Sequence, residues 1–479
     1  MVLNTKVLPL SRLRTGFCDH ECKRYTEQMF RISGHDSTVW THKSCVCNEQ
    51  IALVNRHQFD DGCTYTSSLD LKKTLRRHIR VSTPWSEQAV IEHAIPARKR
   101  LLQHAKDSLS IWDLEPNDSK VKMFLKDDKY HTPEYKAPRC IQYRNKRYGL
   151  RLATYLHPIE KLVMEWKHNG THIFAKGRNM RQRGRDIAKK LKPGYVAISM
   201  DHSKFDSHVN EKLLLLEHWY YRQCCNDPEL AKLLAWQVRN SGSTKNGTTY
   251  FTHATRMSGD QNTGLGNCII NYAMTVALLE KINCPYELYI DGDDFIVFVP
   301  SKFASSVDPA WYGQFGMKTT LDQATTVLEH IDFCQCRPVY DGVGHTLVRN
   351  PDRLMSRAPW VVGPLMGTRP WSIIASAGQC EIALGLGLPI GQYLGQKMFN
   401  FGVANGGKFD SKLRASIMAS REKMKPGKLR VVDCAPGVRS SFELAWGIDI
   451  PTQLSIEAAA LLPVDEEDWD EYPLIRYHH

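Results

Sequence analysis

Tyr286-Glu287-Leu288-Tyr289-Ile290-Asp291-Gly292-Asp293-Asp294-Phe295-Ile296-Val297-Phe298-Val299 reads as two apolar strands joined by a tight turn. Gly292 gives the backbone the freedom such a turn requires. Two adjacent carboxylates at the tip need a further reason, because neighbouring anions repel and apolar strands make their burial worse. A divalent cation removes that conflict. Upstream, Tyr195 to Met200 reads as a strand ending at Asp201. If this strand joins the hairpin in one sheet, Asp201, Asp293 and Asp294 converge. Hard carboxylate oxygens suit Mg2+ or Mn2+. Two such ions, about 4 Å apart, support in-line phosphoryl displacement. Taken singly, the tripeptide is a common turn and Asp201 is a helix N-cap; only their combination carries chemistry.

Asp206 follows Asp201 by five residues. Ser258 to Gly266 reads as a Gly-rich loop, Gly259 included, running into a helix from Asn267 to about Lys281. Asp206, Thr263 and Asn267 are expected to form a hydrogen-bonding cluster on a ribose. The 2′-hydroxyl both donates and accepts, so such a cluster separates ribose from deoxyribose.

The rest of the chain agrees with a polyanionic partner. Its 479 residues carry a formal net charge of +12, with 42% hydrophobic and 24% charged residues, as in a folded protein. Residues 120–192 concentrate the basic charge, including Lys136, Arg139, Arg144, Arg147, Arg178, Arg181, Arg183 and Lys190. Tyr143, Tyr148 and Tyr155 interrupt that run and are expected to stack on bases. The 14 cysteines are scattered, and the start carries no secretory pattern, so reduced thiols are expected. Cys18, Cys22, Cys45 and Cys47, near His20 and His42, do not have a standard zinc spacing. No apolar stretch reaches bilayer-spanning length. Helices are expected around Leu213 to Trp219 and from Pro228, a strand at Thr248–Phe251, and a hairpin with arms Ile331–Pro338 and His345–Val348. Residues 351–460 read as helical with breaks at Gly385, Gly387, Gly391, Gly395 and Gly406-Gly407, and the acidic run from Asp465 to Glu471 as a tail.

These motifs, in this order, resemble the RNA-dependent RNA polymerases of positive-strand RNA viruses, most closely the tombusvirus/carmovirus-like group. Lys136 to Gln142 is similar to the basic finger motif, and Asp201 to Val209 to the first palm motif. Ser258 to Asn267 resembles the second palm motif, and Gly292-Asp293-Asp294 the third. Gly316-Met317-Lys318 and Ile331 to Val339 resemble the next two. Leu347 to Pro351 and Ser441 to Ile448 also match, so the resemblance covers roughly 115–460.

The resemblance implies an α/β (α+β) right-hand polymerase. Its parts would be an N-terminal extension with part of the fingers (1–110), basic fingers (111–194) and an antiparallel palm flanked by helices (195–345, with a fingers insertion at 223–257). A mostly helical thumb (346–462) and an acidic tail (463–479) would follow. It implies that Asp201, Asp293 and Asp294 bind two Mg2+ or Mn2+ ions. Lys318 would protonate pyrophosphate, and Lys136, Arg139 and Arg144 would neutralise the incoming triphosphate. Asp206, Ser258, Gly259, Thr263 and Asn267 would handle ribose and template, while Phe333, Cys334 and Gln335 would brace the nascent strand. The implied partners are template and nascent RNA, NTPs and a viral or host membrane-anchoring replication protein. The implied location is membrane-bound replication complexes in the host cytoplasm.

Two residues depart from the group's pattern. Phe295 stands where cysteine is usual, and Asp291, where asparagine is usual, adds a charge near the metals. A reverse transcriptase is disfavoured, because those enzymes place a bulky aromatic gate at the position of Asp206. The remaining alternative is a non-catalytic RNA-binding replication scaffold with a polymerase-like palm. Three intact aspartates argue against it.

Overall fold

Continuous apolar runs and alternating ones sort the strands of this chain into two different sheets. In a computed structural model, residues 5–8, 23–57, 62–131, 134–362, 370–410 and 429–464 are described. In chain order the main elements are β1 (Thr5–Leu8), α1 (Val46–His57), β2 (Val121–Leu125), β3 (Cys140–Tyr143), α2 (Lys146–Met164) and α3 (Met180–Lys190). Then come β4 (Tyr195–His202), α4 (Glu211–Cys224), β5 (Arg239–Thr244), β6 (Thr249–His253), α5 (Thr263–Lys281), β7 (Glu287–Asp291) and β8 (Asp294–Pro300). The chain continues with β9 (Thr319–Thr325), β10 (Cys336–Tyr340), β11 (His345–Arg349), α6 (Pro370–Gly385) and α7 (Gly391–Ala404).

The continuous runs make an antiparallel four-stranded sheet in the order β7-β8-β4-β9. Phe295 to Val299 of β8 are all buried, as expected of a strand covered on both faces. Phe295, Val297 and Val299 pack with Leu213, Leu214 and residues of α5 in the largest core cluster. Ile296 and Phe298 face the other way, against Ile187 of α3, Phe333 and Leu347. The alternating runs make the second sheet, β1-β6-β5-β2-β3, in which β5 and β2 are parallel. β2 shows the pattern: Lys122 and Phe124 are exposed, while Val121, Met123 and Leu125 are buried.

Three expectations shift. Helix α5 begins at Thr263, not Asn267, so Gly264 and Gly266 lie inside it. A Cβ on Gly266 would fall 2.3 Å from Glu217 Oε1, so this glycine serves close packing and not loop freedom. The first arm of the late hairpin begins at Cys336, not Ile331. Phe333 and Cys336 exchange both backbone hydrogen bonds across a two-residue turn in which Cys334 and Gln335 have φ of 52° and 60°. Gly395 does not break a helix; it sits within α7, where a Cβ would meet the Gly378 carbonyl of α6 at 2.6 Å.

Two short strands within residues 23–32 pair with segments far along the chain. Glu27–Gln28 pair with Trp360–Val361, and Arg31–Ile32 pair with Leu461–Leu462. Met29, Phe30 and Ile32 complete the core around α6, α7 and Phe442. Cys18, His20, Cys22 and the acidic run from Asp465 lie outside the described residues. Cys45 Sγ accepts from the Asn48 amide in the first turn of α1, the ordinary use of a residue at a helix start. No helix among the described residues is long and apolar enough to cross a membrane.

Candidate active site

Register places the acidic residues. Asp201 of β4 lies directly opposite Asp294 of β8, and Asp294 lies opposite Asp291 of β7. Three aspartates thus form one row across three strands, with Asp293 on the adjoining turn. Gly292 has a φ of 70°, which only glycine adopts freely. Burial raises the pKa of Asp201. Asp293 is pushed up to about 6, first by the surrounding protein and then by the charges of Asp201, Asp206 and Asp291. Asp294 is pushed up to about 7, by burial and by Asp293, Asp201 and Asp291. Asp293 is nevertheless open to solvent at the turn tip, so it is enclosed without being dry. No three His, Cys, Asp or Glu side chains among the described residues are gathered into a group able to hold a metal ion. The strand ends converge as expected, but the carboxylates do not form a closed ligand set; their mutual repulsion opposes one.

The two departures from the group's pattern are both compensated. Asp291 is paired with Arg183 Nη1 of α3 at 2.9 Å, so its extra charge is countered. The Cys334 thiol also points to Asp291 Oδ2, at 3.9 Å. Phe295 faces away from the aspartate row and stacks on His202, with ring centroids 4.7 Å apart. Burial holds His202 down to about 3, hence neutral, and its ring bonds to Thr319 Oγ1 and Asn271 Oδ1. Asn271 Nδ2 in turn donates to the Gly292 carbonyl at 2.9 Å, and the Gly292 amide donates to Cys268 Sγ at 3.4 Å. Helix α5 therefore pins the turn from beneath.

The polar cluster is larger than its sequence signature. Asn267 Nδ2 donates to Asp206 Oδ1 at 2.7 Å, and Asn267 Oδ1 accepts from Arg256 Nε at 3.1 Å. Arg256 is buried against Glu217 in an ion pair, and Asn262 Nδ2 bonds Glu217 Oε1 at 2.6 Å. Ser258 receives a hydrogen bond from Arg56 of α1. Thr263 does not join the cluster: its hydroxyl donates to the Met257 and Asp260 carbonyls and so closes the loop on itself. Gly259 lies against β3, where its amide donates to the Gln142 carbonyl at 2.7 Å and a Cβ would meet that oxygen at 2.6 Å.

Residues 24–462 match the family model described as viral RNA dependent RNA polymerase. The chain belongs to the viral RNA-dependent RNA polymerase family. It is 28% identical over 483 residues to the RNA-directed RNA polymerase of Maize chlorotic mottle virus, covering 93% of this chain and 49% of that protein. It is 31% identical over 392 residues to that of Groundnut rosette virus (78% and 46%) and 33% identical over 385 residues to that of Melon necrotic spot virus (75% and 47%). The chain spans about half the length of the curated relatives it matches.

Within this polymerase-family framework, the basic run divides. Arg139 is exposed and held by Asp128 through two bonds, of 2.7 and 3.0 Å, close enough to Asp293 to feel its charge. Lys136 is exposed, and its carbonyl bonds the His42 ring at 2.8 Å. Arg144 is a correction: it is buried, bonded to Asp260 at 2.7 and 3.0 Å and to Asn240 and Ser119, so its donors are spent holding the Gly-rich loop. Arg147 and Arg178 are likewise engaged with Asp118 and Asp186. Tyr148 and Tyr155 are buried in the core of α2 and do not reach bases; the helical repeat turns them inward with Leu152 and Ile159. Phe333 is also a correction. It is buried against Tyr289, with ring centroids 5.2 Å apart, which leaves Gln335 as the exposed residue of the turn. Lys318 is exposed at the start of β9, and its carbonyl accepts from the Ser203 amide at 2.8 Å.

Proposed function

We propose that this chain carries RNA-directed RNA polymerase activity, copying a positive-strand viral RNA by transfer of nucleotides from NTPs to a 3′-hydroxyl on an RNA template. One observation carries the reading: Asp201 faces Asp294 across paired strands, with Asp293 on the adjoining Gly292 turn. None of these three carboxylates forms an ion pair among the described residues, and their raised pKa values mark a site short of positive charge. Their hard oxygens suit Mg2+ or Mn2+, and Asp201, Asp293 and Asp294 would hold two ions by drawing in from the separated positions they have here. When bound, the ions stabilise charge on the reacting phosphate and activate the attacking hydroxyl.

The remaining steps belong to the chain's own residues. Asp206 and Asn267, already bonded to each other, meet the ribose and test for its 2′-hydroxyl. Arg139 exchanges Asp128 for the triphosphate, for which its planar fork is suited. Lys318, tied through its carbonyl to the segment between Asp201 and Asp206, delivers a proton to the departing pyrophosphate. Gln335 meets the nascent strand. In this reading the four-stranded sheet is the palm, the five-stranded sheet belongs to the fingers, and α6 and α7 belong to the thumb.

The test uses purified chain, an RNA template, labelled NTPs and Mg2+ or Mn2+. Template-dependent incorporation is expected, and Asp293→Ala should abolish it while RNA binding persists. Incorporation that survives Asp293→Ala overturns the assignment. An inactive wild-type chain that still binds RNA would favour the scaffold alternative.

A further inference from the structure

Arg56 lies far from every polymerase motif in the chain, near the end of α1, yet its guanidinium enters the polar cluster around Asp206. Nη2 reaches the Ser258 hydroxyl and stands 3.5 Å from Asp206 Oδ2, and Nη1 is 3.5 Å from Ser207 Oγ. The approach is fixed from its own helix as well: Lys204 Nζ donates to Asn55 Oδ1 at 2.8 Å, docking the end of α1 at the start of the short helix, Phe205–His208, that carries Asp206. The side chain of Arg56 is 17% exposed and that of Asp206 14%, so the pair opens to solvent on the site side without being a loose surface contact.

The partners of Asp206 are divided between two sources. Oδ1 belongs to Asn267, whose own oxygen is held by Arg256, itself locked by Glu217. Oδ2 faces Arg56. The backbone carbonyl of Asp206 accepts from the Arg256 amide at 3.0 Å and from Thr255 Oγ1 at 3.1 Å. The carboxylate is therefore oriented from one side by a buried network, and from the other by Arg56. Arg56 also reaches Ser258, so one side chain couples the Asp206 segment to the Gly-rich loop.

We propose that Arg56 is a specificity-determining residue of the nucleotide site. It holds Asp206 and Ser258 in the arrangement that accepts a ribose hydroxyl. This rests on the polymerase reading above and on the roles given there to Asp206 and Asn267. A ribonucleotide gains from a carboxylate fixed in place, because its 2′-hydroxyl has a partner to meet. A deoxyribonucleotide makes no such bond and gains nothing from Arg56. The effect of losing Arg56 thus falls on one substrate class. A purely structural residue would harm both.

The experiment is steady-state extension of a primed RNA template by the full chain, with ATP and dATP compared as the incoming nucleotide. Arg56→Ala, Arg56→Lys and Asn267→Ala are measured beside the unsubstituted chain. Arg56→Ala is expected to raise KM for ATP and leave the dATP parameters near their starting values. The preference for ATP should then fall roughly ten- to a hundredfold, the span of one charge-assisted hydrogen bond. Arg56→Lys, which keeps the charge but not the fork, should recover part of the preference. Template affinity, read by fluorescence anisotropy, should be unchanged. An equal loss on ATP and dATP, or an unchanged preference with Arg56→Ala, overturns the role of Arg56. If Asn267→Ala collapses the preference while Arg56→Ala does not, the ribose-reading cluster stands without Arg56. If neither substitution moves it, the ribose reading itself falls.

Discussion

At the scale of single residues, the aspartate row governs how the chain responds to pH. Raised folded-state values of about 6 for Asp293 and about 7 for Asp294 mean that ionising them opposes folding. Their stability contribution is complete below the unfolded carboxylate value of about 3.9 and is lost as pH rises through 6 and then 7. In EDTA, the melting temperature should therefore carry a falling component between about pH 4 and 7. Mg2+ should raise it clearly at pH 8 and hardly at pH 5. A chain carrying Asp293→Asn and Asp294→Asn should lose the Mg2+ effect; one that keeps it binds the ion elsewhere. Asp201, Asp293 and Asp294 stood out in the sequence as carboxylates ending or joining apolar runs, but the register that sets Asp201 opposite Asp294 was not readable there. Arg144 and Phe333 were misread for one reason: charge and aromatic type are visible in a sequence, but a partner such as Asp260 or Tyr289 is not. Arg183 was visible only as one charge in the basic run, with its partner Asp291 hidden, and Arg56 left no local signal.

At the scale of elements, α5 both holds the Gly292 turn and presents Asn267. Asn271→Ala removes the bond to the Gly292 carbonyl and leaves a buried acceptor unpaired. It should destabilise the chain by about 1–3 kcal/mol and lower kcat more than template affinity. Denaturant melts and paired kinetics would show this, and an unchanged kcat would mean that the turn is held without α5. Glu217→Gln strips the partner from the buried Arg256 and should cost more, about 3–5 kcal/mol. The strands and long helices of this region could be read from periodicity. The start of α5 could not, because Gly264 and Gly266 look like loop residues until the close approach of Glu217 and Arg256 to Gly266 explains that position. The turn at Cys334 and Gln335 was equally hidden, since neither residue announces a left-handed backbone.

At the scale of the whole molecule, contacts distant in sequence decide what the motifs left open. Removing residues 1–42 should destabilise the C-terminal helices first, because Met29, Phe30 and Ile32 fill their core. Limited proteolysis should then cut near α6 and α7 before it cuts the four-stranded sheet; protection equal to that of the full chain would sink this expectation. The pairing of Ile32 with Leu461 has a consequence for synthesis. A ribosome makes the first partner some 429 residues before the second, which at about 5–20 residues per second is roughly twenty to ninety seconds. For most of that interval Met29 and Phe30 are without their native cover, which arrives only when α6 and α7 are made, and Ile32 waits longer still for its strand partner. Maturation of this fold is therefore timed by translation itself, and chaperone occupancy near the start of the chain should persist until the last strand emerges.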